Sequence, residues 1–423
     1  MRICQCLWPL LSLLAVSLLA HDVSAQGIVL PGVGTVNRSM GGASVAAPID
    51  AAGTLHWNPG ALSGLASSEF VVSAELLGIT SELSSSVFGV GSGSTGTDSE
   101  VFALPTVAIA FRPEDSCFSY GLGMYSIGGF GFNYPTSGTN PILFPPAGPP
   151  LAGVGVGPVY SKLSILQIAP TVAMQVTDKL SIGLAPTLSM ADAALDPGIL
   201  ASPVGGVYPP ATHGRIFWGI GFQAGVYYVT DSCWTLGASF KSPQWFEEFQ
   251  FNWTGGTARL KADFPMILSV GAAYHGIERL VWAVDVRYVD YDNTDGFGDA
   301  TGFAPDGRVT GLGWQSVFAV ATGVQYELTD RLTLRLGYSY NENPIRDSDT
   351  FFNVASPAIY EHVISVGTSL WLSDRTTLSL AYLHAFENSI SGPFQSPAGP
   401  VAGTSVMSEV SVNALVCGLE VRF

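Results

Sequence analysis

Charge is scarce in this chain. Only 12% of its 423 residues are Asp, Glu, Lys or Arg, and 17 basic against 33 acidic residues leave a net charge of −16. So few cations cannot neutralise a phosphate backbone, which argues against a nucleic-acid partner. Also missing, beyond the amino-terminal leader, is any run of about 18 apolar residues, so no membrane helix is expected. Yet 47% of the chain is hydrophobic and the mean hydropathy is +0.34. Cysteine is sparse too. Of five, Cys4 and Cys6 lie in the leader, and Cys117, Cys233 and Cys417 cannot all pair with one another. They read as small buried thiols rather than a disulfide framework. Six histidines fall into no metal-ligand spacing, and no Gly-x-Ser-x-Gly elbow occurs. Neither an enzyme nor a cofactor is expected.

What is present explains the greasiness without a helix. In the last nine residues, Leu415, Cys417, Leu419, Val421 and Phe423 share one face of a strand, and Val416, Gly418, Glu420 and Arg422 share the other. An alternating strand closing on an aromatic carboxy-terminus is how outer-membrane barrels end, one face to lipid and the other to a wet interior. Phe423 is the expected signal for the barrel-assembly machinery, with outer-membrane lipid and lipopolysaccharide as surroundings. At the other end, Met1-Arg2, the apolar stretch Leu7 to Ala20 and Val23-Ser24-Ala25 read as a signal peptide, residues 1–25, cleaved between Ala25 and Gln26.

The middle alternates repeatedly, clearest over Arg331 to Tyr340, where every even position is apolar or aromatic. Very short turns recur at Thr177-Asp178-Lys179, Thr230-Asp231-Ser232, Thr329-Asp330-Arg331 and Ser373-Asp374-Arg375. Asp suits them because its carboxylate accepts from nearby backbone donors. Between short turns lie long Gly/Pro-rich loops near 131–157, 194–214, 293–313, 343–358 and 388–405, with Gly78 to Ser99 before the first turn. Gly91, Gly93 and Gly96 in that stretch match a dinucleotide fingerprint only formally, because no helix pattern follows. Counting predicts fourteen strands, the seventh running over 232–252. The fold class is therefore all-β, a transmembrane antiparallel barrel over 66–423. Its own side chains fill only about eight strands' worth of lumen. The non-alternating, small-residue segment 26–65 is thus expected to fold inward as a hatch that plugs the lumen.

One segment has a wider likeness. Arg38-Ser39-Met40-Gly41-Gly42-Ala43 and Asp50 to Leu62, with Asn58-Pro59-Gly60 at its centre, resemble the hatch of the FadL/TodX family of outer-membrane transporters, whose motif is Asn-Pro-Ala. Phe264 to Tyr274 is similar to the family's Pro-led strand, and Leu334 to Ile345 to its "LRxGYxYxxxPI" stretch. The resemblance implies a fourteen-stranded, hatch-plugged monomeric barrel carrying long-chain fatty acids or aromatic hydrocarbons, with outer loops collecting the cargo.

Candidate positions follow. Trp245, Phe249, Phe251 and Trp253 share parity on the seventh strand, and two readings stay open for them: an interfacial aromatic girdle, or a cargo groove. Phe246 has the opposite parity and points to cargo. In the loop 194–214, Ile199, Leu200, Val204 and Tyr208 are apolar with no girdle to serve, leaving binding or loop packing. Arg287 and Arg335 have inward parity, suited either to a carboxylate head or to pairing with Asp285 and Glu327. Family barrels open sideways at a kink in the third strand, which places the gate here at Gly128 and Gly129, with Asn58, Pro59 and Gly60 in the hatch. The alternative to a hydrophobic-compound channel is a porin-type or structural barrel with an open lumen.

Overall fold

The computed structural model describes residues 27–98, 101–146, 155–205, 207–253 and 255–423. The leader and its cleavage point lie outside these residues. Fourteen antiparallel strands close into a barrel: β1 (Glu69–Val87), β2 (Gly91–Gly96 continuing as Val101–Phe111), β3 (Phe118–Tyr134), β4 (Val159–Gln175), β5 (Leu180–Asp196), β6 (Phe217–Val229), β7 (Trp234–Lys241), β8 (Met266–Ile277), β9 (Leu280–Asp290), β10 (Val317–Thr329), β11 (Leu332–Asn341), β12 (His362–Trp371), β13 (Thr376–Gly392) and β14 (Thr404–Arg422). Each strand pairs with its neighbours in sequence, and β14 closes the ring on β1 from Glu69↔Arg422 to Val87↔Thr404. Closure leaves no sheet edge in the lipid, where an unpaired backbone group costs several kcal/mol. The alternation read from sequence holds in space: Leu334, Leu336 and Tyr338 are exposed, while Thr333 and Ser339 are buried.

Two boundaries and the cysteines differ from expectation. The stretch Gly78 to Ser99 is no loose loop, because β1 runs on to Val87 and turns straight into Gly91–Gly96. Ser and Gly dominate that hairpin, so it lacked the apolar beat that marks a membrane strand. The seventh strand stops at Lys241. Pro243 has no N–H to extend the ladder, and beyond it Trp245–Phe246 crosses to β6 before Phe249–Trp253 pairs with Gly256–Leu260 in a hairpin off the wall. The three described cysteines are free and exposed rather than buried. Two of them flank turns and Cys417 faces outward on β14.

The amino-terminal segment packs against the inward-facing side of the wall. Residues 27–65 are almost entirely buried, forming two short helices, α1 (Thr35–Ser39) and α2 (Ala51–Trp57), then a 3-10 turn, Pro59–Gly64. Asp50 caps α2 by accepting from the Gly53 N–H at 3.2 Å, and Asn58 caps the 3-10 turn by accepting from Gly60 N at 3.0 Å. Some polar side chains buried here reach the wall: Arg38 Nε donates to Glu75 at 2.9 Å and Asn58 to Val226 O at 2.9 Å.

Candidate functional site

Above the inserted segment, at the barrel end that carries the long loops, lies an apolar cavity of about 110 Å3. Its aromatic lining comes from separate pieces of chain: Phe130 on β3, Phe246, Phe249 and Phe251 beyond β7, Phe297 after β9 and Phe352 after β11. Phe217 packs on Phe249 at 4.5 Å between ring centres and steadies the group. Ile199, Leu200 and Leu195 close another side. The cations on the lining are both answered: Lys162 bonds Asp192 at 2.6 Å, and Arg259 bonds Glu248 at 2.7 Å. Asp263 accepts from Lys261 at 2.5 Å and from the Phe246 N–H at 2.8 Å. The charged groups therefore point their hydrogen bonds at one another, leaving a greasy interior. A second, smaller cavity nearby is lined by Val207, Tyr208, Phe303, Val309 and Phe351. There Tyr208 donates to Gly307 O at 2.8 Å, and burial pushes its phenol up to about 12.

Beside the first cavity the wall is incomplete. The β2–β3 ladder ends at Thr106↔Tyr125, and among the described residues no ladder bond joins Val101–Pro105 to β3. The strands meet again at the top, where Asp98 N donates to Asn133 O at 2.9 Å. Within the gap β3 bulges at Ile127 and turns its bonding edge inward: Leu30 N donates to Ile127 O at 3.0 Å and Gly129 N to Ile28 O at 3.1 Å. The inserted segment thus satisfies the backbone groups that β2 leaves free. Gly129 sits at φ +150, a conformation that excludes side chains, and a Cβ on Gly128 would lie 2.7 Å from Ile28 O.

Elsewhere the segment is seated against the wall almost backbone to backbone. Inward-facing Gly183, Gly225, Gly237, Gly323, Gly337 and Gly367 lie on six strands, and a Cβ on any of them would run into Pro59, Asn58, Val45, Met40, Gly41 or Ser39 respectively. A Cβ on Gly60 would in turn meet Gly225 O at 2.7 Å. Around this collar Asn58 donates to Val226 O at 2.9 Å, Asp285 accepts from Ser44 N at 2.7 Å and Val45 N at 3.0 Å, and Arg38 forms a two-pronged pair with Glu75. Trp57 is held from two sides, with the Arg287 guanidinium 3.5 Å and the Lys241 ammonium 4.4 Å from its ring centre.

The cavity brings together Phe246, Phe249, Ile199 and Leu200 from the sequence-derived candidates. Parity separated Phe246 from Phe249, but the chain leaves the sheet between them, so both rings turn inward. The same break leaves Trp245 on the opposite side, 47% exposed, and puts Phe251 in the cavity rather than a girdle. Val204 is 57% exposed at a loop tip and Tyr208 belongs to the second cavity. Arg287 is fully buried against the segment, donating to Pro31 O at 3.1 Å and bonding Asp285 at 3.2 Å, and so stands apart from the cavity. Arg335 bonds Gln325 at 2.7 Å and Ser369 at 2.6 Å rather than Glu327. Sequence reasoning missed Phe297 and Phe352, which only tertiary folding brings in. It also missed the glycine collar, although Gly337 shares the inward parity of Arg335.

A closed barrel with an occupied lumen and an apolar cavity under its loops defines an outer-membrane channel for hydrophobic compounds. Residues 16–423 match the family described as "Outer membrane protein transport protein (OMPP1/FadL/TodX)", and the chain belongs to that family. Its fold is similar to that of a Pseudomonas aeruginosa FadL homologue at 14% identity (TM-score 0.68), covering 93% of this chain and 98% of that one. The P. putida toluene transporter TodX (16%, 0.66) and the Ralstonia pickettii toluene transporter TbuX (18%, 0.61) match over 93% of this chain and 99% of theirs. No curated protein matches in sequence.

Proposed function

We propose that this barrel takes up a small, neutral, apolar molecule: the loops collect it, the cavity above the segment holds it, and the β2–β3 gap releases it sideways. The observation that carries this reading is a cavity whose charges are all internally paired. A carboxylate there would lose its hydration and find no free cation, a large cost, whereas an apolar solute gains by leaving water. Size agrees. An apolar cavity of roughly 150 Å3 accommodates benzene, and this one is of that order. The toluene transporters among the structural neighbours support the same class. On this reading residues 26–65 act as a hatch that stays seated, with Asn58, Pro59 and Gly60 fastening it to β5 and β6. Its wall contacts are far more extensive than the single gap beside it.

A second reading has one observation in its favour. Lys241 is buried against His56 at 3.1 Å, and among the described residues it has no carboxylate partner. A long-chain fatty acid reaching that depth would find its counter-ion there. The test is native mass spectrometry of the detergent-purified protein after identification of what it carries, followed by titration with toluene and with a long-chain fatty acid. One toluene bound, undisturbed by the fatty acid and by Lys241→Met, supports the neutral cargo. A fatty acid that displaces toluene and loses affinity in Lys241→Met supports the second reading. An empty barrel with high single-channel conductance would favour a porin.

A further inference from the structure

Phe102 stands on the stretch of β2 that pairs with β1 but has no ladder to β3, half-buried and packed towards the interior. Its ring reaches across the gap to Gly131 on β3, lying where a side chain on that residue would be. Gly131 has an ordinary backbone conformation, so its lack of a side chain serves the ring rather than a turn. Immediately beside it, Phe130 lines the cavity, as does Leu163, whose strand position pairs with Phe130. From the cavity outward the order is therefore Phe130, the notch of Gly131, the Phe102 ring and the outer face. No backbone bond spans this line between Thr106↔Tyr125 and the Asp98–Asn133 contact among the described residues.

We propose that Phe102 is the door of the β2–β3 gap: its ring fills the notch at Gly131 at rest and swings out to pass a neutral apolar molecule into the outer leaflet. The inference rests on the sideways-release reading above. A side-chain rotation suffices because, among the described residues, no ladder bond joins β2 to β3 across the gap. An aromatic ring also suits an apolar passenger, giving it a surface to slide against without any polar group to desolvate.

The experiment pairs two readouts on the full-length protein: radiolabelled toluene uptake by a diderm host lacking other such transporters, and toluene dissociation from the purified protein in nanodiscs. Heat-modifiable gel mobility confirms that each variant is folded. Phe102→Ala is expected to speed dissociation several-fold, and Phe102→Trp to slow uptake several-fold. Gly131→Ala evicts the ring and should behave like Phe102→Ala. Gly128→Val and Gly129→Val crowd β3 beside the gap, their side chains meeting Ile28 O and Leu163 O respectively. If these two substitutions abolish uptake while Phe102→Ala, Phe102→Trp and Gly131→Ala all match the parent, release is sideways and Phe102 is not its door. If the folded Gly128 and Gly129 variants also take up toluene at the parental rate, sideways release itself fails and the door with it.

Discussion

The inserted segment meets the wall in two ways, and the contrast bears on how the molecule works. Along β10, β11 and β12 it lies against glycines so closely that a methyl group would not fit, with Met40, Gly41 and Ser39 nested on Gly323, Gly337 and Gly367. Against β3 it acts instead as a substitute strand, Ile28 to Leu30 taking the hydrogen bonds that β2 has given up. The first contact is shape without slack. The second is a patch over an opening. A close-packed interior resists small displacements, because even one added methylene is felt there, whereas a strand edge held by a few hydrogen bonds separates at a cost of about 1 kcal/mol each. Any give in the segment is therefore expected at the patch, while the glycine collar keeps the whole seated.

The largest effect should come from removing the contrast altogether. Deleting Gln26 to Gly60 is expected to turn a tight barrel into an ion-conducting pore, and unchanged conductance in planar bilayers would end the plug idea. Gly337→Val is a milder form of the same attack. Its side chain would occupy the space of the Gly41 backbone, and overpacking of about 1–3 kcal/mol or more should loosen the segment, read as protease cleavage within it from the outside.

A more diagnostic loss is expected from Arg38→Ala. Glu75 would be left buried and unpaired at a cost of about 3–5 kcal/mol, whereas Arg38→Met with Glu75→Leu should recover most of it. The temperature at which the barrel loses its folded gel mobility measures both. If the single and double variants fall equally, the pair acts through packing alone.

Much of this was written in the chain. Period-two alternation and Asp-centred turns located fourteen strands, because a barrel wall in lipid has to repeat itself. The seventh strand was overextended since Trp245, Phe249 and Phe251 keep the beat of two even where the backbone has left the sheet. Likewise the Ser- and Gly-rich end of β1 looked like loop, because strands that rise above the membrane need no apolar face. A third of the cavity's aromatic lining was legible, in Phe246 and Phe249. Phe297 and Phe352 were not, since sequence order says nothing about which loops converge. Arg287 shows the remaining limit: its inward direction was readable, but not that Trp57 would arrive to cover it.

The cavity itself can be probed with Phe249→Ala, which should weaken toluene binding about tenfold, or roughly 1.4 kcal/mol, while leaving the folded gel mobility intact because the wall is untouched. Trp245→Ala, on the other side of the same chain break, should leave binding as it is. Equal effects would mean that the chain's departure from the sheet after Phe246 does not divide the two rings as described.

The smallest effect concerns pH, and its sign follows from one loop contact. Glu247 accepts from Arg215 at 2.6 Å and from the Trp218 N–H at 3.0 Å, which holds its carboxyl down to about 2. A depressed carboxylate contributes its stabilisation above the ordinary value near 4.5 and loses it as pH falls through about 2. Between pH 5 and 8 the contact is therefore constant, and a neutral cargo adds no titration of its own. Toluene affinity measured across that window should be flat for the parent protein. A fatty acid bound to Lys241 would instead weaken towards the acid end as its own carboxylate takes up a proton. Fatty-acid affinity that slopes in this way beside a flat or absent toluene affinity would thus count against the neutral-cargo reading, and would do so without any substitution in the barrel.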